Sequence, residues 1–148
     1  MALVENLQKL IRSFAKSKGF DRLLQGAQVL SANDGKVRVE MMVKPEHLNV
    51  PGTMHGGLIC TLVDTISTLA IASTKDNKFG VSVDLNVSFI SAASPGEKIV
   101  IESEVLRTGK NLAFANVNIL KEDGKLVATG RHTKYLGLGN VPDARTFK

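Results

Sequence analysis

The sequence predicts an α+β fold in which one antiparallel β-sheet wraps around a long central helix. Three observations carry that expectation. Residues 55–73 form an apolar stretch of helical periodicity, and alternating apolar and polar segments fill most of the chain after it. Short turns separate those segments, which favours antiparallel neighbours. A single large sheet needs a cover for its apolar face, and 55–73 is the only stretch long and apolar enough to supply it.

The elements follow in order. Val4, Leu7, Leu10, Ile11 and Phe14 recur at helical spacing opposite Lys9, Arg12 and Lys16, so residues 3–18 read as an amphipathic helix ending before Gly19. Val29 to Ser31 and Lys36 to Val43 read as a hairpin around Asn33-Asp34-Gly35. Pro45 to Gly52 reads as loop, residues 55–73 as the central helix, and Thr74 to Lys78 as a polar loop. Val81, Val83, Leu85, Val87 and Phe89 alternate with Ser82, Asp84, Asn86 and Ser88, the pattern of a strand. Ser94-Pro95-Gly96 turns the chain. Three more strands are expected at Lys98 to Arg107, Leu112 to Lys121 and Leu126 to Leu136, joined through Thr108-Gly109-Lys110 and Glu122-Asp123-Gly124. The last four strands are expected in meander order. The 148 residues then make one domain, with a core over about 3–136 and a loose tail over 137–148.

Composition excludes several classes. Hydrophobic residues make up 43% of the chain and the net charge is only +5, which does not suit a disordered chain. One cysteine makes no internal disulfide and points to a reducing compartment. The longest apolar run, Leu58 to Ala72, is interrupted by Asp64, and no integral membrane association is expected. Residues 1–22 carry five of the Lys and Arg side chains against Glu5 and Asp21. With 5% aromatics and no dense basic run, this is not a nucleic-acid footprint. A solvated helix face is the expected reading; a membrane foot or a mitochondrial address is the alternative. The expected location is the cytoplasm, with the mitochondrion as the second compartment. The three His and one Cys lack ligand spacing, so no metal site is expected.

The central helix holds an anomaly. On a helical wheel Leu58, Ile59, Leu62, Val63, Ile66, Leu69 and Ala70 fall in an arc of about 140°, a core face. The opposite arc holds Cys60, Thr61, Asp64, Thr65, Ser67, Thr68, Ile71 and Ala72, with no Lys, Arg, Glu or Gln. Such a face touches something: another subunit, a ligand, or both. A buried carboxylate needs donors or a function, so Asp64 is either bonded to nearby hydroxyls or a partner chain, or catalytic. The helix begins at His55-Gly56-Gly57, and paired glycines are unfavourable there unless something approaches the backbone closely. Free N–H groups at a helix N-terminus stabilise developing negative charge. Asn49 could add a side-chain N–H, and His55 could bond a loop carbonyl or a substrate group. Cys60 and His55 do not share a helical face, so Cys60 reads as a buried thiol rather than a nucleophile.

The stretch from Asn49 to Asp64, with His55-Gly56-Gly57 at the helix entry, resembles the active-site segment of the hot-dog fold acyl-coenzyme A thioesterases. Gly80-Val81-Ser82-Val83-Asp84, Gly109-Lys110, Leu112-Ala113-Phe114 and Gly130-Arg131-His132-Thr133-Lys134 support the resemblance, which runs over about residues 5–136. It implies that medium- and long-chain fatty acyl-coenzyme A is hydrolysed to free acid and thiol, with no cofactor. Asp64 would activate water as general base, or attack directly through an anhydride. Ser82 would help hold the water. The Gly56 N–H, assisted by Asn49, would polarise the carbonyl, and His55 would orient the loop or substrate. The resemblance also implies a homodimer with the site across its interface, Asn49 and Gly56 coming from one chain and Asp64 and Ser82 from the other, and a pairing of dimers into a homotetramer. Coenzyme A would lie against Asp84, against Phe89, Ile90, Ser91, Ala92 and Ala93, and against Arg107, Thr108, Gly109, Lys110, Asn111 and Leu112. Tyr135 departs from the polar ring expected there. Arg107 and Lys110 suit phosphate, or are ordinary exposed turn cations. Two rivals are a non-catalytic acyl-coenzyme A scaffold and an enoyl-coenzyme A hydratase, for which His55 and Asp64 are the pair the sequence offers.

Overall fold

The computed structural model describes residues 1–137, so the expected tail falls almost wholly outside the described residues. Helix α1 spans Ala2–Ala15 and helix α2 spans Gly56–Ala72. The strands are β1 (Gln28–Asn33), β2 (Lys36–Met42), β3 (Val81–Phe89), β4 (Lys98–Thr108), β5 (Leu112–Lys121) and β6 (Leu126–Tyr135). Two short 3₁₀ turns, Phe20–Leu24 and Pro45–His47, occupy stretches that lack a periodic signal.

All six strands form one antiparallel sheet in the order β1-β2-β4-β5-β6-β3. The meander expectation is therefore wrong for β3, which pairs with β6 and not with β4. The cause lies in loop length. Tight turns make β4, β5 and β6 neighbours, and β2 takes the free edge of β4 from Lys36↔Glu104 to Met42↔Lys98. That leaves β3 the far edge of β6. The segment after β3 returns across the sheet end, held by the Ile90 and Ser91 N–H groups on Val127 O and by the Gly96 N–H on Val43 O. Exposed pairs Lys36–Glu104 (3.2 Å) and Arg38–Glu102 (3.0 Å) match the β2–β4 register and add little else.

Helix α2 lies against this sheet. Its many β-branched residues give it modest intrinsic helicity, so packing decides its structure. Leu58, Leu62, Val63, Ile66, Leu69 and Ala70 are buried against β2, β4, β5 and β6 residues such as Val39, Ile101, Val117 and Val127. The helix ends where hydroxyls take over its last carbonyls: Ser73 Oγ donates to Ala70 O and Thr74 Oγ1 to Ile71 O, both at 2.7 Å. The arc opposite the core is less open than its composition suggests. Ser67, Ile71 and Ala72 are buried, whereas Cys60, Thr61, Asp64, Thr65 and Thr68 are half-buried. Helix α1 buries Leu7 and Ile11 in the same core, stopping three residues earlier than the reading of 3–18.

Candidate active site

The entry to α2 is built so that one backbone donor stays free. His55 is the N-cap, and its Nδ1 accepts the Gly57 N–H at 2.8 Å. The Leu58 and Ile59 N–H groups both reach His55 O. Among the described residues, the Gly56 N–H alone at this helix start has no acceptor. His55 thus bonds neither a loop carbonyl nor a substrate group through Nδ1; it consumes the neighbouring donor. The preceding loop is equally constrained. Buried His47 accepts the Lys44 N–H at Nδ1 and donates from Nε2 to Leu23 O, both at 3.0 Å, and its carbonyl receives the His55 N–H. Asn49 is turned onto its own loop, with Oδ1 accepting the Thr53 N–H at 2.9 Å and Nδ2 donating to Thr53 Oγ1 at 3.0 Å.

Asp64 lies eight residues along α2 from Gly56, about 12 Å at 1.5 Å per residue. Its side chain is 50% exposed. The nearby hydroxyls do not bond its carboxylate: Ser67 Oγ and Thr68 Oγ1 donate to its main-chain carbonyl, at 3.0 and 2.8 Å. The nearest imidazole is that of His132 on β6, Nε2 standing 3.7 Å from Asp64 Oδ1. The same Nε2 is 2.8 Å from Ser82 Oγ, and Nδ1 is 2.6 Å from Ser67 Oγ. The structure thus joins Asp64 and Ser82 through His132, and the histidine that pairs with Asp64 is His132 rather than His55. Two residues further along β6, buried Lys134 donates to Thr68 Oγ1 at 2.7 Å. Burial pulls its ammonium down to about 8, resisted by the nearby Asp64 charge. Burial also lowers His132, against the Asp64 charge; Lys134 adds to the lowering and Asp84 opposes it. Burial raises the Cys60 thiol, which suits an inert side chain.

A β-bulge places Ser82. The β3–β6 register runs Ser82↔Lys134 and then Asp84↔Thr133, so Val83 is the extra residue. Cross-strand partners share a face. Ser82 therefore points with Lys134 and His132 toward α2, while Asp84, Asn86 and Ser88 line a groove of about 810 Å³ on the outer face with Arg107 and Arg131. Strict alternation puts Ser82 and Asp84 on one face, and the bulge overturns that.

The coenzyme A candidates fall in two places. Phe89, Ile90 and Ala92 are exposed beside the start of α2, where Ala93 O accepts the Met54 N–H and Ser91 Oγ donates to Leu126 O. Arg107, Lys110, Asn111 and Leu112, with Thr108 and Gly109, form the β4–β5 turn at the other end of the sheet, next to Tyr135. About eight residues of strand separate the two groups, roughly 25 Å, so one protomer does not bring them together. Asp84 sits on the outer face, apart from the first group but in the same groove as Arg107. The sequence alone assigns no role to His132, Lys134, Ser67 or His47, although His132 and Lys134 lie in a segment that supports the resemblance. For His132 and Lys134 a signal existed: they fall in step with Ala128 and Gly130, the face of β6 turned to the helix.

A helix held in an antiparallel sheet, entered through His55-Gly56-Gly57 and carrying a carboxylate two turns on, defines a hot-dog thioesterase. The chain belongs to the thioesterase superfamily, whose family model matches residues 51–128. Among individual proteins, it is similar to human acyl-coenzyme A thioesterase 13, at 47% identity over 137 residues, covering 92% of this chain and 98% of that protein. It is also similar to the crystal structure of zebra fish thioesterase superfamily member 2, with a TM-score of 0.89 and 48% identity over 90% of this chain and 98% of that one. A hypothetical thioesterase from Streptococcus pneumoniae, solved with coenzyme A, has a TM-score of 0.71 and 26% identity, over 74% of this chain and 84% of that one.

Proposed function

We propose that the protein hydrolyses medium- and long-chain fatty acyl-coenzyme A to the free acid and coenzyme A, in a site shared by two copies of the chain. One observation carries the reading: Gly56, with its free N–H, and Asp64 stand eight residues apart on one helix, a rise of about 12 Å. That is too far for a single thioester carbonyl to meet both. The carbonyl donor of one protomer and the carboxylate of its partner form one complete site. The surface that would join them is β3. It is an edge strand, and its Val81, Val83, Leu85 and Phe89 are 38%, 60%, 36% and 57% exposed. The outer groove beside Arg107 and Arg131 is a surface on which two such dimers could pair.

Asp64 accepts a proton from water as the water oxygen bonds to the thioester carbon. The resulting oxyanion takes the Gly56 N–H, assisted by the second amide proton of Asn49. The carbon–sulfur bond then breaks, the thiolate leaves, and the proton held by Asp64 returns to the products. Water is the only co-reactant. Arg107 and Lys110, from the opposite end of the partner's sheet, suit the anionic part of coenzyme A. A thiol-release assay across acyl chain lengths, run beside Asp64→Asn, tests the reading. We expect a loss of 10²-fold or more in kcat with KM held. Unchanged hydrolysis by Asp64→Asn ends this mechanism, and hydration of an enoyl-coenzyme A without thiol release moves the protein to another class.

A further inference from the structure

His132 is fixed on three sides. Ser67 Oγ stands 3.0 Å from Asp64 O and 2.6 Å from His132 Nδ1. A hydroxyl has one proton. If Ser67 gave it to the imidazole, its oxygen would face the Asp64 carbonyl lone pair to lone pair. With the Ser67 proton on Asp64 O, His132 Nδ1 carries a proton and donates it to Ser67. Nε2 is then the unprotonated nitrogen, an acceptor 2.8 Å from Ser82 Oγ. Ser82 must donate there, which leaves its oxygen lone pairs directed away from the ring, whose Nε2 also stands 3.7 Å from Asp64 Oδ1.

We propose that His132 is a positioning residue for hydrolysis: held as the Nδ1–H tautomer by Ser67, it takes the Ser82 hydroxyl proton and makes the Ser82 oxygen an acceptor for the water that Asp64 activates. This rests on the thioesterase reading of Asp64 and Ser82. One water proton goes to the Asp64 carboxylate and the other is held by Ser82, so the attacking lone pair is aimed by two acceptors rather than one. The arrangement needs a neutral ring. Protonated His132 would donate from Nε2, competing for Ser82 and forming an ion pair with Asp64 at 3.7 Å. Asp64 on α2 and Lys134 on β6 share its side of the sheet, and the charge of Asp84 on β3 acts on it from the outer face. Burial and the Lys134 ammonium keep the ring neutral against the two carboxylates.

The test is a double-mutant cycle in the full-length protein. Ser82→Ala and His132→Phe are each expected to lower kcat on the order of tenfold with KM nearly unchanged, and the double variant to lose about as much as either alone. His132→Gln replaces His132→Phe if the latter does not fold, and should move the acid limb of the kcat–pH profile down toward the carboxylate range. Long-range proton–nitrogen NMR correlations of His132 should show a pyrrole-type Nδ1 and a pyridine-type Nε2. A kcat loss for His132 that persists in full in the Ser82→Ala background, an unmoved acid limb, or the opposite tautomer overturns the inference while leaving the thioesterase reading intact. No loss for Ser82→Ala alone removes the Ser82 role itself, and the inference with it.

Discussion

Gly56 lies under the ring of Phe89: a Cβ built on Gly56 would stand 3.2 Å from Phe89 Cε1. The first donor of α2 and the exposed aromatic that ends β3 therefore share one small space. A methyl group there must push the ring aside while leaving the N–H in place. Gly56→Ala is expected to raise KM for acyl-coenzyme A several-fold, more than it lowers kcat. Phe89→Leu in the same background should recover part of the loss; no recovery would mean the ring is not what the methyl meets.

Lys134 makes stability rise in mild alkali. Its folded value of about 8 lies below the ordinary 10.5, so the unfolded chain holds the proton that the folded chain releases. Stability therefore increases as pH climbs through about 8 toward 10.5, by up to about 3 kcal/mol from this group. Lys134→Met should flatten that rise and be more stable than the parent at pH 7 by about 1–3 kcal/mol. Urea unfolding at pH 7 and pH 9.5 checks both statements, and equal slopes for parent and variant would refute them.

His47 ties two loops through both ring nitrogens, and its main chain holds His55. His47→Leu leaves the Lys44 N–H and Leu23 O without partners inside the protein. We expect a loss of about 2–4 kcal/mol and a lower kcat, because the cap that frees the Gly56 N–H hangs from this loop. Thermal unfolding and steady-state kinetics on one preparation measure the two together.

At Gly130 the sheet backbone comes close to α2. An added Cβ would meet Val63 Cγ1 at 2.8 Å and Asn86 O at 3.1 Å. Gly130→Ala should destabilise by about 1–3 kcal/mol, and Val63→Ala should return only part of it, since the Asn86 carbonyl remains. Full rescue would place the whole strain on Val63.

The β3 edge should govern assembly. Val83→Lys puts an ammonium on an exposed, apolar edge residue and is expected to shift sedimentation toward the monomer. Hydrolysis should fall in parallel although Asp64, Ser82 and His132 are untouched. An active monomer would exclude a site shared between copies.

How far the sequence reaches depends on the range of the signal. Helix α2, its glycine entry and Asp64 are written in local periodicity and local propensity, so they were legible. The pairing of β3 with β6 was not, because two strands separated by two others leave no mark on either. Val83 looks like any alternating residue, and only the partner strand reveals it as a bulge. His132 and Lys134 alternate with Arg131 and Thr133 along β6, and what makes them unusual is the helix packed above them. The roles of Ser82 and Asn49 rest on resemblance; the geometry adds that Asn49 spends one amide proton on Thr53.

The capping of α2 by His55 also bears on selectivity. A helix start with several vacant N–H groups is a general receptor for phosphate and carboxylate, which present two or three oxygens at once. Here the imidazole and the His55 carbonyl withdraw every donor but one. A lone N–H matches a single carbonyl oxygen and gives a polyanion little to hold. The substrate carries both kinds of group, three phosphates at one end and a thioester at the other. On the proposed mechanism, stripping the helix of its spare donors would keep the wrong end of the same molecule from settling at the Gly56 N–H.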